Sequence, residues 1–453
     1  MKALVNAAAL AALLASSATA LAGDQIDGRW DARLTHNGIE IPFRLDISGS
    51  GARLKGTLYD GFSAYEYTTG ASYQEGQLVL NIDHYLTTIT AKLDNGKLVG
   101  GVVAQNRGSR TEYGFTAVPH DAAAYARAKA VNAPSIAGAW EIPLSAPSSK
   151  GENAFRFIVE QRGAEVAASI LRIDGDTGAY SGVFKDGKWV LSHFDGSRPG
   201  VIEVTPGADG TLQIAQLGQR VQSANPQTAN QYETAPDGRY AAKLIAYRSE
   251  AARAKGLPAP SNHLTHTTTR DPNEKFTFAF PNLEGKTVSN DDADHEGNVV
   301  LAIVTGTWCP NCHDEAQYLI QLDKQYRDKG LRIVALNFEE VEQQESLKRA
   351  KAFVAQYGVK YPYLQAGAPE EMWEKVPQLV NLNTWPATVF VGRDGTVRAV
   401  HAGFASPASG QFHAQLKKEF TERIEQLLAE KAPAQLTSTA EAASADALVA
   451  DAR

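Results

Sequence analysis

Apolar and polar residues alternate with a period of two through much of the first half of the chain, and that alternation predicts short β-strands. From Gly23 to about Pro119, segments such as FRLDI, QLVLNI and KLVGGVVA set apolar or β-branched residues between Gly, Asn and Asp turns. Asn95-Gly96 within LDNGKL marks a hairpin, because both residues tolerate the positive φ that such a tight turn needs. HDAAAYARAKAV closes the segment as a helical patch. The pattern then repeats. Ile26-Asp27-Gly28-Arg29-Trp30 returns as Ile136-Ala137-Gly138-Ala139-Trp140, FRLDISGSG as FRFIVEQRG, and YQEGQLVLNIDHY as FKDGKWVLSHFDG. The second copy is also read as ending in a helix, from Tyr240 to Lys255. Two tandem antiparallel β units, each a small barrel or sandwich, are therefore predicted over residues 23–131 and 132–256.

The style changes after a Pro/Thr/Asn-rich linker at 257–275. From Phe276 strands and helices alternate: NVVLAIVTG as strand, Asp314 to Lys329 as helix, LRIVALNF as strand, Ser346 to Tyr357 as helix, ATVFVG and VRAVHAGF as strands, and a last helix over 411–430. Such alternation specifies a mostly parallel sheet covered by helices, an α/β domain over 276–432. The remaining 433–453 is rich in Ala, Ser and Thr with almost no large apolar residues, and is expected to be disordered.

The start of the chain changes the cellular picture. Lys2, an Ala/Leu-rich run and the small residues Ala20-Leu21-Ala22 have the layout of a secretory signal over residues 1–22, too short to anchor the mature chain. An exported, soluble, periplasmic protein is expected. The formal charge of −7, with no cluster of Lys or Arg, argues against nucleic acid or an anionic membrane as partner. The chain holds only two cysteines. A secreted protein stapled by disulfides would carry several pairs, so two thiols three positions apart suggest reactivity rather than structure.

Those thiols lie where the NVVLAIVTG strand runs into Thr307-Trp308-Cys309-Pro310-Asn311-Cys312 and a helix follows. Cys309 falls at the helix N-terminus, where unpaired N–H groups and the helix dipole favour a thiolate. Pro310 suits the first helical turn. Cys312 follows one turn later, close enough to pair with Cys309. The roles are expected to differ, with Cys309 exposed and attacking and Cys312 shielded and resolving. Three other chemistries compete. Zinc would need a second ligand pair, and His263, His266 and His295 lie in linker-like sequence. A peroxidatic cysteine would have Thr three places before it, whereas Thr305 and Thr307 stand four and two places before Cys309. Haem attachment is satisfied formally by Cys309-x-x-Cys312-His313, but an apolar strand and a βαβ pattern leave no haem pocket, and Met372 sits in polar APEEMWEK. His313 is read instead as a solvent-facing residue of the first turn.

Residues 270–430 resemble the TlpA-like exported thioredoxins, a family that includes the reductases of cytochrome c maturation. FAFPNLEGKTVS is similar to the family's entry hairpin, VVLAIVTGTWCPNCHDEAQYL to its active-site strand and helix, and WPATVFVGRDGTV to its cis-proline strand. EEVEQQESLKRAKAF matches its extra insert. The resemblance implies a thiol–disulfide oxidoreductase with Cys309, Cys312, Glu340 and Pro386 as catalytic residues and Trp308, Pro310 and Trp385 at the substrate. Pro386 falls at the cis-proline, and Glu340, with Glu339 as an equal-type neighbour, falls where an acid could move the Cys312 proton. It implies no metal and no cofactor beyond a redox-active disulfide, protein thiol or disulfide substrates, and a membrane thiol donor; family analogy favours reduction. Ile303 departs from simple thioredoxins, which keep a buried Asp six residues before the first cysteine. The Gly-x-Trp opening of each β copy is similar to the first strand of lipocalin-like barrels, over three residues only. The role of the β copies is open. A binding protein with an accessory thiol domain is the alternative, with Tyr59, Tyr65, Tyr67 and Tyr73 lining a surface.

Overall fold

Positive φ at Asn95 (48°) and Gly96 (76°) turns the chain between the strands Thr87–Asp94 and Lys97–Asn106, as the hairpin signal requires. The computed structural model describes residues 26–106, 109–218, 232–234 and 240–431. The segments read as a signal, 1–22, and as a disordered tail, 433–453, lie outside the described residues.

The first β unit is a nine-stranded antiparallel sheet. Its two outermost strands, Ser63–Tyr67 and Gly70–Gln74, are consecutive in the chain and joined by Thr68 and Thr69. The Thr68 amide donates to Gly56 (3.1 Å) and the Thr69 amide to Asn81 (2.7 Å), so this short link bends the sheet nearly into a closed barrel. Trp30, Leu34, Leu45, Leu80, Ile89 and Phe115 fill the interior. The second unit is a ten-stranded sheet whose first strand, Gly138–Pro143, comes round to the end of strand Tyr240–Ala246. Glu141 and Tyr247 exchange two backbone hydrogen bonds of 2.8 Å there. The stretch Tyr240 to Lys255, read as one helix, is therefore that strand followed by a short helix, Ser249–Ala254. Barrel closure overrides the helical propensity of its Ala and Lys residues.

The repeat is visible at atomic level. Trp30 Nε1 donates to the Ile26 carbonyl and Trp140 Nε1 to the Ile136 carbonyl, each at 2.8 Å. Both indoles are buried core residues that tie the incoming chain to the first strand.

The C-terminal domain carries a five-stranded sheet in the order Tyr363–Gly367, Leu331–Phe338, Val299–Thr305, Ala387–Val391, Val397–Ala402. The first three strands are parallel and the last two antiparallel. The sheet is thus mixed rather than mostly parallel, because the tight turn at Gly392–Thr396 can join only antiparallel neighbours. On one face Leu319 and Leu322 of the helix Pro310–Tyr326 pack with Phe420 and Ile424 of the helix Gln411–Ala429. On the other face Val300, Val304, Phe338 and Trp385 form a second layer, and both cysteines sit within it. The 257–275 stretch lies along this domain: Thr268–Thr269 pairs with Leu379–Val380, and the His263 carbonyl accepts from the Ala402 amide at 2.9 Å. No helix among the described residues is long and apolar enough to cross a membrane.

Candidate active site

A fully buried strand, Val299–Thr305, delivers the chain to the site. Gly306 follows because a Cβ there would stand 2.5 Å from the Trp308 indole nitrogen and 3.1 Å from the Phe338 carbonyl. The absent side chain lets Trp308 fold back and donate from Nε1 to that carbonyl at 2.9 Å. Cys309 is the N-cap of the helix Pro310–Tyr326, with Pro310 at its first position. The Cys309 carbonyl accepts from the amides of Cys312 (3.0 Å) and His313 (3.3 Å), which winds Cys312 back toward Cys309.

Both cysteines are free thiols. Burial and the neighbouring Cys309 push the Cys312 thiol well above its ordinary pKa, while the Thr305 hydroxyl and Gly306 backbone pull it back in part. Cys309 Sγ faces the Trp385 carbonyl at 3.4 Å, and the Trp385–Pro386 peptide is cis. The Trp385 ring meets Trp308 at 5.1 Å, tilted by 67°. The structure thus brings Trp308, Cys309, Pro310, Cys312, Trp385 and Pro386 into one place.

Two expectations need correction. Cys309 is not exposed: it is 4% accessible and Cys312 is 2%. The second β unit reaches over it, with the Asn311 side chain donating to the Asp174 carbonyl at 2.9 Å. His313 is not solvent-facing either, being fully buried. Its Nε2 contacts the Thr307 carbonyl (2.7 Å), its Nδ1 the Tyr357 hydroxyl (3.0 Å), and its ring lies 4.3 Å from that of Tyr85 in the first β unit. Burial holds its pKa well below the usual value, so the ring is neutral, with Nε2–H donating. The first turn of this helix is an inter-domain contact, which helix position alone does not reveal.

Glu340 and Glu339 end the Leu331–Phe338 strand region and are both held by Arg349, a fully buried guanidinium on the helix Lys348–Tyr357. Arg349 pairs with Glu340 Oε2 at 2.7 Å and with Glu339, which also accepts from Thr307. Burial raises the Glu340 carboxyl above its ordinary value despite that guanidinium. Glu339 is thus engaged through both oxygens, whereas Glu340 holds Arg349 through Oε2 and its Oε1 has no hydrogen-bond partner among the described residues.

A different acid stands closer in sequence to the dithiol. Glu315 follows Cys312 by three residues and so shares its helix face. It is 1% accessible, and burial pushes its carboxyl up to about 8. One oxygen accepts from the Thr388 hydroxyl, and the other has no hydrogen-bond partner among the described residues. Thr388 pairs in the sheet with Ile303. The helix thus brings a carboxyl beside the strand position where simple thioredoxins keep their buried Asp. The only signal in the sequence is an acid at i+3 from Cys312, which nothing in the chain itself sets apart from any other helical acid.

Asp314 joins all three parts of the chain. Its carboxylate accepts from Tyr65 of the first unit and, at 3.2 Å, from Arg198 of the second. Burial, opposed by Arg198, sets it at about 7. Arg198 is also bound to Asp195 at 2.6 Å. The four tyrosines do not share one surface. Tyr65 is at this junction, Tyr59 donates to Asp46 (2.7 Å), Tyr67 is exposed, and Tyr73 packs on the first core.

A family model described as AhpC/TSA family matches residues 272–400. The chain is 30% identical over 124 residues to the thiol-disulfide oxidoreductase ResA of Bacillus thuringiensis (strain Al Hakam), covering 27% of this chain and 65% of that relative. It is 30% identical over 128 residues to the thioredoxin-like protein YneN of Bacillus subtilis (strain 168), covering 28% of this chain and 68% of that relative. Among solved structures, a putative thiol:disulfide interchange protein DsbE from Chlorobium tepidum is 22% identical with a TM-score of 0.27, covering 34% of this chain and 98% of that one. A secreted thiol-disulfide isomerase from Corynebacterium glutamicum is 18% identical with a TM-score of 0.29, covering 38% and 97%.

Proposed function

The chain belongs, through its C-terminal domain, to the TlpA/ResA-like thioredoxin family, and on that premise we propose that the whole protein is an exported thiol–disulfide oxidoreductase that reduces disulfides of protein partners. The observation that carries this reading is the pair of free thiols one helical turn apart, at a helix N-terminus beside Trp385–Pro386.

The exchange runs in two displacements. The Cys309 thiolate attacks one sulfur of the partner disulfide; a mixed disulfide forms and the partner's other sulfur leaves as thiolate. Cys312 then loses its proton and attacks Cys309 Sγ, closing the Cys309–Cys312 disulfide and freeing the partner's second thiolate. Two electrons have passed to the partner, and an external thiol donor at the membrane restores the dithiol. The raised pKa of Cys312 keeps it protonated until the second displacement, so a base is needed. Glu315, at about 8, is matched to that task and supplies what Ile303 cannot. Glu340, the acid assigned by family position, has its Oε2 held by Arg349 and its Oε1 without a partner among the described residues, and is the second candidate for that proton.

Three features favour a dithiol centre over its competitors. Both ring nitrogens of His313 are engaged by Thr307 and Tyr357, which leaves none for haem iron. Thr305 bonds to Cys312, whereas the hydroxyl of a peroxidatic site would serve the first cysteine. The interiors of both β units are filled by side chains, the first with help from Phe194 and Val201 of the second, which favours a role for them at the thiol centre over storage of an apolar ligand. The N-terminal signal pattern supports export.

Insulin reduction by the full-length chain tests the reading. Cys309→Ser should abolish turnover, and Cys312→Ser should accumulate partner proteins disulfide-bonded to Cys309. Full turnover by Cys309→Ser would overturn it.

A further inference from the structure

Cys309 lines a cleft of about 560 Å³, within the range of sites that hold a small ligand or a short stretch of chain. Trp308, Cys309 and Asn311 line it together with Pro369 and Trp373, the latter 60% accessible. Another part of the lining does not come from the thioredoxin-like domain. It is made by Ser149, Lys150 and Asp174 of the second β unit.

That part is pinned at several points. The Asp174 carbonyl accepts from Asn311, the residue after Pro310 and before Cys312, at 2.9 Å. Gly175 makes this approach possible: a Cβ there would lie 2.7 Å from Asn311 Nδ2 and 2.5 Å from the Phe404 carbonyl, and its φ of 124° disfavours any side chain. The Asp176 carboxylate accepts from the Ser406 amide (2.8 Å), the Ser406 hydroxyl (3.0 Å) and the Ser409 hydroxyl (2.6 Å). Lys150 crosses the cleft: its Nζ lies 3.5 Å from Asp174 Oδ2 and 2.5 Å from the carbonyl of Asn383, two residues before Trp385. A buried carboxylate with three donors from the thiol domain and a charge-assisted strap are strong, directional contacts. This part is a wall, not a loose flap.

We propose that the second β unit forms a fixed wall of the substrate cleft, so that the dithiol accepts an extended cystine-bearing segment of a polypeptide and discriminates against disulfides held on a folded surface. The proposal rests on the exchange reading above and adds the conformation of its substrate. An extended strand is narrow and can thread between Lys150 and Trp373 to lay its sulfur against Cys309. A folded partner would have to displace the wall, breaking the Lys150–Asn383 contact before its disulfide came within bonding distance. In electron terms nothing changes: the same two displacements occur, on a partner of restricted shape.

The test uses the reduced full-length protein and three disulfides matched in reduction potential: oxidised glutathione, an unstructured peptide closed by one disulfide, and a folded protein with a surface disulfide. The peptide should react at least about tenfold faster than the folded protein, as expected when docking requires a conformational change. Lys150→Ala should move that ratio about tenfold toward the folded protein, the equivalent of one charge-assisted hydrogen bond. An independent readout on the unaltered protein is alkylation at Cys309, which should be fast with iodoacetamide and slow with a polymer-linked maleimide. Equal peptide and folded-protein rates, or equal alkylation by both reagents, would overturn the wall. Failure of all three disulfides to oxidise the protein would instead remove the exchange reading, and the wall with it.

Discussion

At the scale of single residues, the proton on Cys312 decides the chemistry. Glu315 lies one helical turn beyond it, buried, with a carboxyl at about 8 and one oxygen left without a partner among the described residues. Resolution of the mixed disulfide should therefore speed up between pH 7 and pH 9, as Glu315 becomes a carboxylate able to take the thiol proton. Stopped-flow measurement of that step should show Glu315→Gln slowed by about 10²-fold at pH 8, with the rising limb moved upward in pH. An unchanged limb in the variant would assign the proton to Glu340 or water. The same carboxyl links pH to stability. Its folded pKa is raised above the unfolded value of 4.5, so its contribution is fully present below about pH 4.5 and is lost as pH rises through about 8. Each unit in that window removes up to about 1.4 kcal/mol. The denaturation midpoint of the wild-type chain should accordingly fall relative to Glu315→Gln between pH 5 and pH 8, and the gap should stop growing above pH 8. Both cysteines and Pro310 were legible from their neighbours in the chain, and the cis proline from the family resemblance. It left Glu315 unseen, because what makes this acid unusual is burial against Thr388, 73 residues away.

At the scale of elements, local pattern was reliable wherever one strand or helix decides its own structure. The strand Leu331–Phe338, the helix Lys348–Tyr357 and the hairpin at Asn95-Gly96 lie where periodicity and turn chemistry put them. Tyr240–Ala246 was misread because its residues suit either structure, and the closing contact of Glu141 with Tyr247 selects the strand. The insert helix shows what element packing adds. It carries Arg349 into a fully buried position between Glu339, Glu340 and Thr307. Removing the cation leaves two acids without compensation, and breaking a buried pair in this way costs about 3–5 kcal/mol. Arg349→Ala should lower the stability of the C-terminal domain by about that amount in denaturant titrations. Arg349→Lys should recover only part of it, since a single ammonium cannot reproduce the forked contacts of a guanidinium. If Arg349→Ala retained full stability, the carboxylates would have to be protonated in the native protein, and the claim of Glu340 as the acid near Cys312 would be strengthened.

At the scale of the whole molecule, the two β units and the thiol domain meet through apolar contacts, such as Phe194 in the first unit's core and Ile158 and Leu171 in the thiol domain's, and through polar pairings, none of which is written in any one segment. Glu66, on a strand of the first unit, is 2% accessible. Its oxygens meet His84 Nε2 at 3.0 Å within its own unit, and Gln356 Nε2 at 3.0 Å and the Tyr357 hydroxyl at 3.3 Å across the boundary. Tyr357 in turn holds His313, which follows Cys312. An alternating strand predicts that Glu66 faces one side or the other, but only the assembled chain shows it turned inward to a helix 290 residues away. Glu66→Ala would strand donors on both sides of the boundary, at about 1–3 kcal/mol for each one left unsatisfied. Because the neighbouring contacts of Asp314 with Tyr65 and Arg198 rest on the same docking, the loss should propagate to the start of the active-site helix. Amide exchange should rise in residues 311–314 and 348–357 together, and alkylation of Cys309 by the polymer-linked maleimide should accelerate as its cover loosens. Exchange that rises only in 348–357, with Cys309 as slow as before, would mean that the second unit holds its wall without help from the first. The shielding of the dithiol would then belong to Asp174, Asp176 and Lys150 alone.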